Sequence, residues 1–312
     1  MESPWIKTLI VIFWFASMTW LALVKLFPVI QSGTPPEGIV AILQADDEPI
    51  HECWKIIWKD RPIGWSETIA ERHADATSSV NSHVHFDRLP ISAMLRDGLG
   101  PLKFLFGSAA STGRDLDISM DVTSTLKTDV DGRLDRFDST IDLSDVGSLC
   151  HLTGILEGDQ LNVVVTAGEA LYLSGLGSSQ ELYRGSLDFP ETESLADGFA
   201  PQSRLAKLYV GQQWTFPSVR PFPPNSPLQI VEARVEEEKV VVWEHDLVTV
   251  LVVTFREAAG AGLTRSRTSF GEMWVRRDGT VLRQSLTIAG LTVDFQRQSW
   301  PRSSGVPIHD SN

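Results

Sequence analysis

The stretch LDISMDVTSTLKTDVDGRLDRFDSTIDL, residues 116–143, decides the fold class. Leu116, Ile118, Met120, Val122 and Leu126 alternate with Asp117, Ser119, Asp121, Thr123 and Thr125. A period of two puts the apolar set on one face of a strand and the polar set on the other. Asp131-Gly132 supplies a tight turn. The return run repeats the pattern, with Phe137, Ile141 and Leu143 against Arg136, Asp138, Thr140 and Asp142. This is an antiparallel hairpin with one packed face and one wet face.

Similar runs flank it. Cys53–Lys59 and Gly64–Glu71 form a hairpin around Asp60–Ile63, and Leu149–Leu156 pairs with Leu161–Thr166. Leu228–Glu236, Lys239–Trp243 and Leu247–Arg256 read as a meander. Glu272–Arg276, Val281–Ile288 and Leu291–Arg297 follow it. Hairpin connections imply antiparallel pairing. The expected fold is mainly β: a large curved antiparallel sheet or open half-barrel, with a two-sheet sandwich as the alternative. One or two short helices are expected at Ile91–Arg96 and Ser203–Tyr209. Phe216–Pro227 is too rich in proline for a paired central strand and reads as a loop.

The N-terminus has a different pattern. Thr8–Val24 (TLIVIFWFASMTWLALV) carries no charge, and the apolar run resumes after Lys25 as far as Ile30. About 20 such residues match a hydrocarbon core of about 30 Å. The run ends without a small-x-small cleavage site, which favours an uncleaved anchor over a signal peptide. Lys7 precedes the span, and after Lys25 no Lys or Arg appears before Lys55. A short cytoplasmic N-terminus with the bulk of the chain exported is expected. The organisation is then a signal-anchor over 1–30, a linker over 31–50, an extracytoplasmic β domain over 51–300 and a disordered tail over 301–312. The expected location is the cytoplasmic (inner) membrane, with one spanning helix and the domain in the periplasm or outside.

A net charge of -13 argues against nucleic acid as a partner, because phosphate recognition needs a basic surface. No nucleotide loop, nucleophile elbow, H-E-x-x-H or C-x-x-C occurs. No cofactor, metal set or catalytic set is therefore assigned. His83 and His85, at i and i+2, point the same way on a strand, but no third ligand completes a known spacing. Lys127–Gly132 has acidic residues at spacings seen in calcium loops, with Lys127 wrong at the first position. Cys53 and Cys150 both lie in the exported part, where a disulfide between them and a pair of free thiols are both compatible with the sequence. The acidic outer positions Asp117, Asp121, Asp138 and Asp142 suit either solvation or a basic partner.

Three short motifs carry a resemblance. They are the Trp-bearing first strand with a following Gly64-Trp65, LYVGQQW at Leu208–Trp214, and WVRRDGTVLRQ at Trp274–Gln284. Their order resembles that in uncharacterised membrane-anchored envelope proteins of planctomycete-type bacteria. The first two also look like the half-barrel of lipoprotein carriers. The resemblance implies a curved sheet able to hold a hydrophobic ligand, and it transfers no catalytic residue. The expected function is a membrane-tethered binding or interaction module, for an apolar ligand or an envelope protein. A structural component of an envelope complex, and a hydrolase or transferase with a dispersed site, are the alternatives.

Overall fold

The computed structural model describes residues 4–21, 35–36, 48–90, 117–144, 147–170, 181–189, 195–198, 200–219, 227–258, 269–288 and 291–298. Helix α1 spans Pro4–Leu21. Its large side chains, including Trp5, Phe13, Trp14, Phe15 and Trp20, are exposed. Among the described residues no helix is long and apolar enough to cross a membrane. The remainder of the expected span, 22–30, lies outside those residues, as do most of the linker, the tail and Ile91–Arg96.

Among the described residues fifteen strands follow in one sheet. The first wing comprises β1 (Ile50–Trp58), β2 (Arg61–Arg72), β3 (Ser78–Pro90), β4 (Asp117–Thr128), β5 (Leu134–Leu143), β6 (Gly147–Glu157), β7 (Gln160–Ala167) and β8 (Glu181–Asp188). The second comprises β9 (Ala196–Asp197), β10 (Gln213–Val219), β11 (Leu228–Trp243), β12 (Asp246–Glu257), β13 (Gly271–Arg276), β14 (Val281–Ile288) and β15 (Leu291–Gln298). Each wing is a meander, and the first and last strands, β1 and β15, pair at the middle of the sheet. All pairings are antiparallel except β9 with β10.

The topology requires curvature. β8 and β9 are the two edges of the sheet, yet they are consecutive in the chain. Laid flat, fifteen strands would separate the edges by roughly 65 Å. The chain from Asp188 to Ala196 reaches about 28 Å at full extension. The sheet therefore curls until its edges approach. The inward faces of both wings accordingly share one apolar cluster, from Trp54, Phe86, Phe137 and Leu152 to Val253, Phe255, Met273 and Phe295. A single curled sheet, rather than a two-sheet sandwich, encloses this core.

Local chemistry explains where boundaries moved. The first hairpin turns at Lys59-Asp60, both with positive φ (47° and 63°), so the turn has two residues and Arg61–Ile63 already belong to β2. β11 is one strand, not two, because a bulge between Val235 and Glu237 absorbs the break in alternation. Pro217 lies within β10, paired with Ile230. That position is tolerated because β9 pairs only with Ser218 and Val219, so no donor is missed on that side. Ser203–Tyr209 is not a helix. Leu205 N donates to Gly279 O (2.9 Å), Arg204 bridges Thr280, and Leu205 enters the core.

Candidate functional site

Strand alternation sorts the polar chemistry of the first wing onto two faces. On the outer face one continuous rung crosses six strands: Cys53, Glu67, His83, Thr123, Thr140 and His151 are successive cross-strand partners. The next rung carries Lys55, Trp65, His85, Asp121 and Asp142. Imidazoles and carboxylates are thus neighbours across the ladders, where side chains interact directly.

Asp121 is the hub. Its Oδ1 accepts from His85 Nδ1 at 2.7 Å and from His83 Nε2 at 2.8 Å. His85 Nε2 lies 3.1 Å from Asp87 Oδ1, so only the doubly protonated ring donates to both carboxylates. Trp65 packs against both rings, with centroids 4.9 and 5.5 Å away. Burial raises the Asp121 carboxyl, but the hydrogen bonds from His85 and then His83 outweigh it and hold the group below the usual carboxylate range. A lowered folded value means that the contribution is complete above the ordinary carboxylate range and is lost as pH falls through the folded value. In Asp121→Asn, the part of acid destabilisation that sets in below about pH 4 should be missing. With the side chain 30% exposed, the difference should stay within about 1 kcal/mol. Urea unfolding of both proteins across pH 2–6 measures it, and identical acid slopes would refute the assignment.

At the far end of the first rung, His151 sits 3.0 Å from both Thr140 and Thr153 and 3.8 Å from Asp138. Asp138 is clamped by Arg136 through Nε (2.5 Å) and Nη2 (2.9 Å). Burial acts the other way on Asp138, but the Arg136 hydrogen bond and charge keep it below its ordinary range. Of the acidic positions read as outward, Asp121, Asp138 and Asp142 share this face, while the Asp117 side chain lies outside the description.

The inner face is different. Most of it is apolar, but Glu52, Thr68, Ser82, Ser124 and Ser139 form one buried polar rung across β1–β5. Their hydroxyls bond to each other, Thr68 to Ser82 at 3.4 Å and Ser124 to Ser139 at 2.9 Å. Glu52 is fully buried and receives Arg297 Nη2 at 2.5 Å, while Arg204 Nε stands 3.7 Å away. Among the described residues Glu52 Oε2, Trp54 Nε1 and Ser66 Oγ have no hydrogen-bond partner.

Asp129 Oδ1 accepts from the N–H groups of Asp131 and Arg133, so the acidic loop is a turn that uses its carboxylate on its own backbone. Cys53 faces outward on β1 and Cys150 inward on β6, five strand positions apart, and both are free thiols. Burial pushes the Cys150 thiol up to about 12 and the Cys53 thiol, beside Glu67 and Glu52, to about 11, so neither is an activated nucleophile. A Ser–His contact does occur, His73 Nε2 to Ser79 Oγ at 3.0 Å. Asp75, the nearby acid, bonds to the N–H and hydroxyl of Thr77 and not to His73, so among the described residues that contact has no orienting carboxylate. The Asp121 hub was invisible in the sequence, because nothing there pairs β3 with β4 across residues 91–116.

No family model and no curated protein matches the chain. Among solved structures, a β-barrel-like protein of the domain of unknown function DUF1849 from Brucella abortus aligns over 80% of this chain and 95% of its own. Its identity is 10% and its TM-score 0.46. A DUF1089 family protein from Pseudomonas aeruginosa aligns over 72% of this chain and 91% of its own, at 11% identity and a TM-score of 0.34. Neither likeness bears on the planctomycete-type resemblance or on an anchor.

The second wing carries a shallower feature. A cleft of about 310 Å³ is lined by residues that include Trp243, Trp274, Arg283, Gln296 and Gln298. Trp274 is held between the Lys239 ammonium (4.9 Å) and the Arg283 guanidinium (4.8 Å), with its Nε1 donating to Glu272 at 2.6 Å. Its ring is thus engaged by this chain's own cations.

Proposed function

We propose that this chain is a membrane-tethered extracytoplasmic interaction module that meets an envelope protein through the outward face of β1–β6. The observation that carries the reading is the division of chemistry between the faces. The inward side chains, among the described residues, pack on one another: Ile56, Ile141, Leu152, Val163, Val253 and Phe295 are all fully buried. An interior filled by the chain's own side chains weakens the apolar-ligand version. The imidazoles, carboxylates and Trp65 instead line the outer rungs, where a partner reaches them. A dispersed enzymatic site has less support, because the hydroxyls of the buried polar rung bond to one another and His83, His85 and His151 bond to carboxylates and threonines.

The tether rests on the sequence. Thr8–Val24 is free of charge, and α1 is apolar around its circumference beyond Lys7, which suits a lipid environment better than water. The cation-poor stretch after Lys25 supports a cytoplasmic N-terminus in the inner membrane.

A photoreactive residue at Thr123, exposed between the His83 and Thr140 positions, tests the interaction reading in intact cells. One discrete cross-linked protein is expected, with the same residue at Arg277 on the second wing giving none. Recovery of the uncross-linked chain from Thr123, or identical adducts from both positions, would overturn the assignment of the face. A purely structural role is separated by deletion, which should change the composition of the captured complex and not only envelope integrity.

A further inference from the structure

We infer that His51, Cys53 and Glu67 form a binding site for one divalent transition-metal ion of the zinc class, at the β1 end of the outer rung. The site lies on the same outer face as the proposed interface, but it stands on donor geometry alone and needs no partner.

The three side chains come from two paired strands. His51 and Cys53 are i and i+2 on β1, so they share a face, and Glu67 on β2 is the direct cross-strand partner of Cys53. One donor atom from each, an imidazole nitrogen, the thiol sulfur and a carboxylate oxygen, lies within 4.8 Å of the other two. Tetrahedral zinc, with bonds of about 2.0–2.3 Å, separates its donors by roughly 3.5 Å, so side-chain adjustment of about 1 Å closes the set. Glu67 already contacts the His51 ring through Nε2.

The donor chemistry selects the ion. One thiolate, one imidazole and one carboxylate suit borderline metals, whereas magnesium and calcium take oxygen ligands. Glu67 is also partnered with His83 on β3, but His83 Nε2 is engaged by Asp121 at 2.8 Å. Among the described residues three protein ligands make up the set, which leaves a fourth position for water or a further donor. The site is half-exposed: the His51 and Glu67 side chains are 34% and 33% accessible. An ion can enter without unfolding the sheet. Binding displaces the thiol proton and forms a metal–sulfur bond with no change of oxidation state.

Cobalt(II) titration of the full chain in detergent, with a non-thiol reductant, tests this. The expected result is one cobalt per chain with a thiolate-to-metal charge-transfer band, displaced by equimolar zinc and not by excess magnesium. Cys53→Ser should abolish the band while Cys150→Ser leaves it intact. His51→Ala and Glu67→Ala should each weaken binding at least tenfold. Absence of the band in the wild-type chain, its persistence in Cys53→Ser, or cobalt binding indifferent to all three substitutions would overturn the assignment. None of these outcomes depends on a partner at Thr123, so the two readings fail separately.

Discussion

Arg297→Met is expected to destabilise the protein by about 3–5 kcal/mol, the cost of leaving a buried charge without its partner. The Glu52 side chain is inaccessible to solvent, and Arg297 Nη2 is its hydrogen-bonded counter-charge. Arg204 is 3.7 Å away and 34% exposed, too distant to replace that bond. Arg297 also donates to Ser203 O and Val281 O and lies over the Trp54 ring, so it ties the β1–β15 seam to the segment before β10. Glu52→Gln alone should cost less, because the Arg297 side chain retains 18% exposure and can reach water. The double substitution should recover most of the loss, since a neutral pair leaves no buried charge. Urea unfolding of the full chain in detergent, with the four proteins compared as a cycle, measures each term. A single Arg297→Met within about 1 kcal/mol of wild type would contradict the pairing.

Gly64→Ala is the second large effect, expected near 3 kcal/mol, at the upper end of ordinary overpacking. A Cβ at Gly64 would stand 2.0 Å from the carbonyl oxygen of His85 and 3.0 Å from Phe86 Cα. Both are backbone atoms of the neighbouring strand, so no side-chain rotation relieves the clash. β2 is also held by β1 on its other side. Gly158→Ala is the contrast: its φ is +62° and nothing lies within 4 Å, so the cost should be only about 1 kcal/mol of backbone strain. Relief of the Gly64 clash would displace His85, so Gly64→Ala should also loosen the His85–Asp121 contact. Loss of the His85 ring proton resonance shift that accompanies Asp121→Asn would report this. A Gly64→Ala protein as stable as Gly158→Ala would show that β2 and β3 are not so closely apposed.

The clearest sequence readings were those with a strong period. β4 and β5 were legible to within a residue or two because Ile118, Met120 and Val122, then Phe137 and Ile141, alternate without interruption. β3 was missed for the opposite reason. Its inward positions include Ser78 and Ser82, whose hydroxyls face the same interior as Val84 and Phe86, so the hydrophobic period is blurred. β8 was missed too, as an edge strand with Arg184, Gly185 and Ser186 in its middle. The i, i+2 spacing of His83 and His85 puts them on one face of any strand that holds them, but their partner Asp121 is 36–38 residues distant. Pairing across that distance depends on strand register, which local pattern does not encode.

The sequence by itself determined the antiparallel β class, the apolar N-terminal run and the acidic character of the chain. These follow from local periodicity, charge and turn chemistry. Tertiary structure alone decided that the strands form one curled sheet, because the two wings join only through the pairing of the first and last strands at its middle. It alone also separated Cys53 from Cys150, buried Glu52 against Arg297, and brought His51, Cys53 and Glu67 together. Each of these is set by register and by which face a strand turns inward, and a shift of a single residue would reverse all of them.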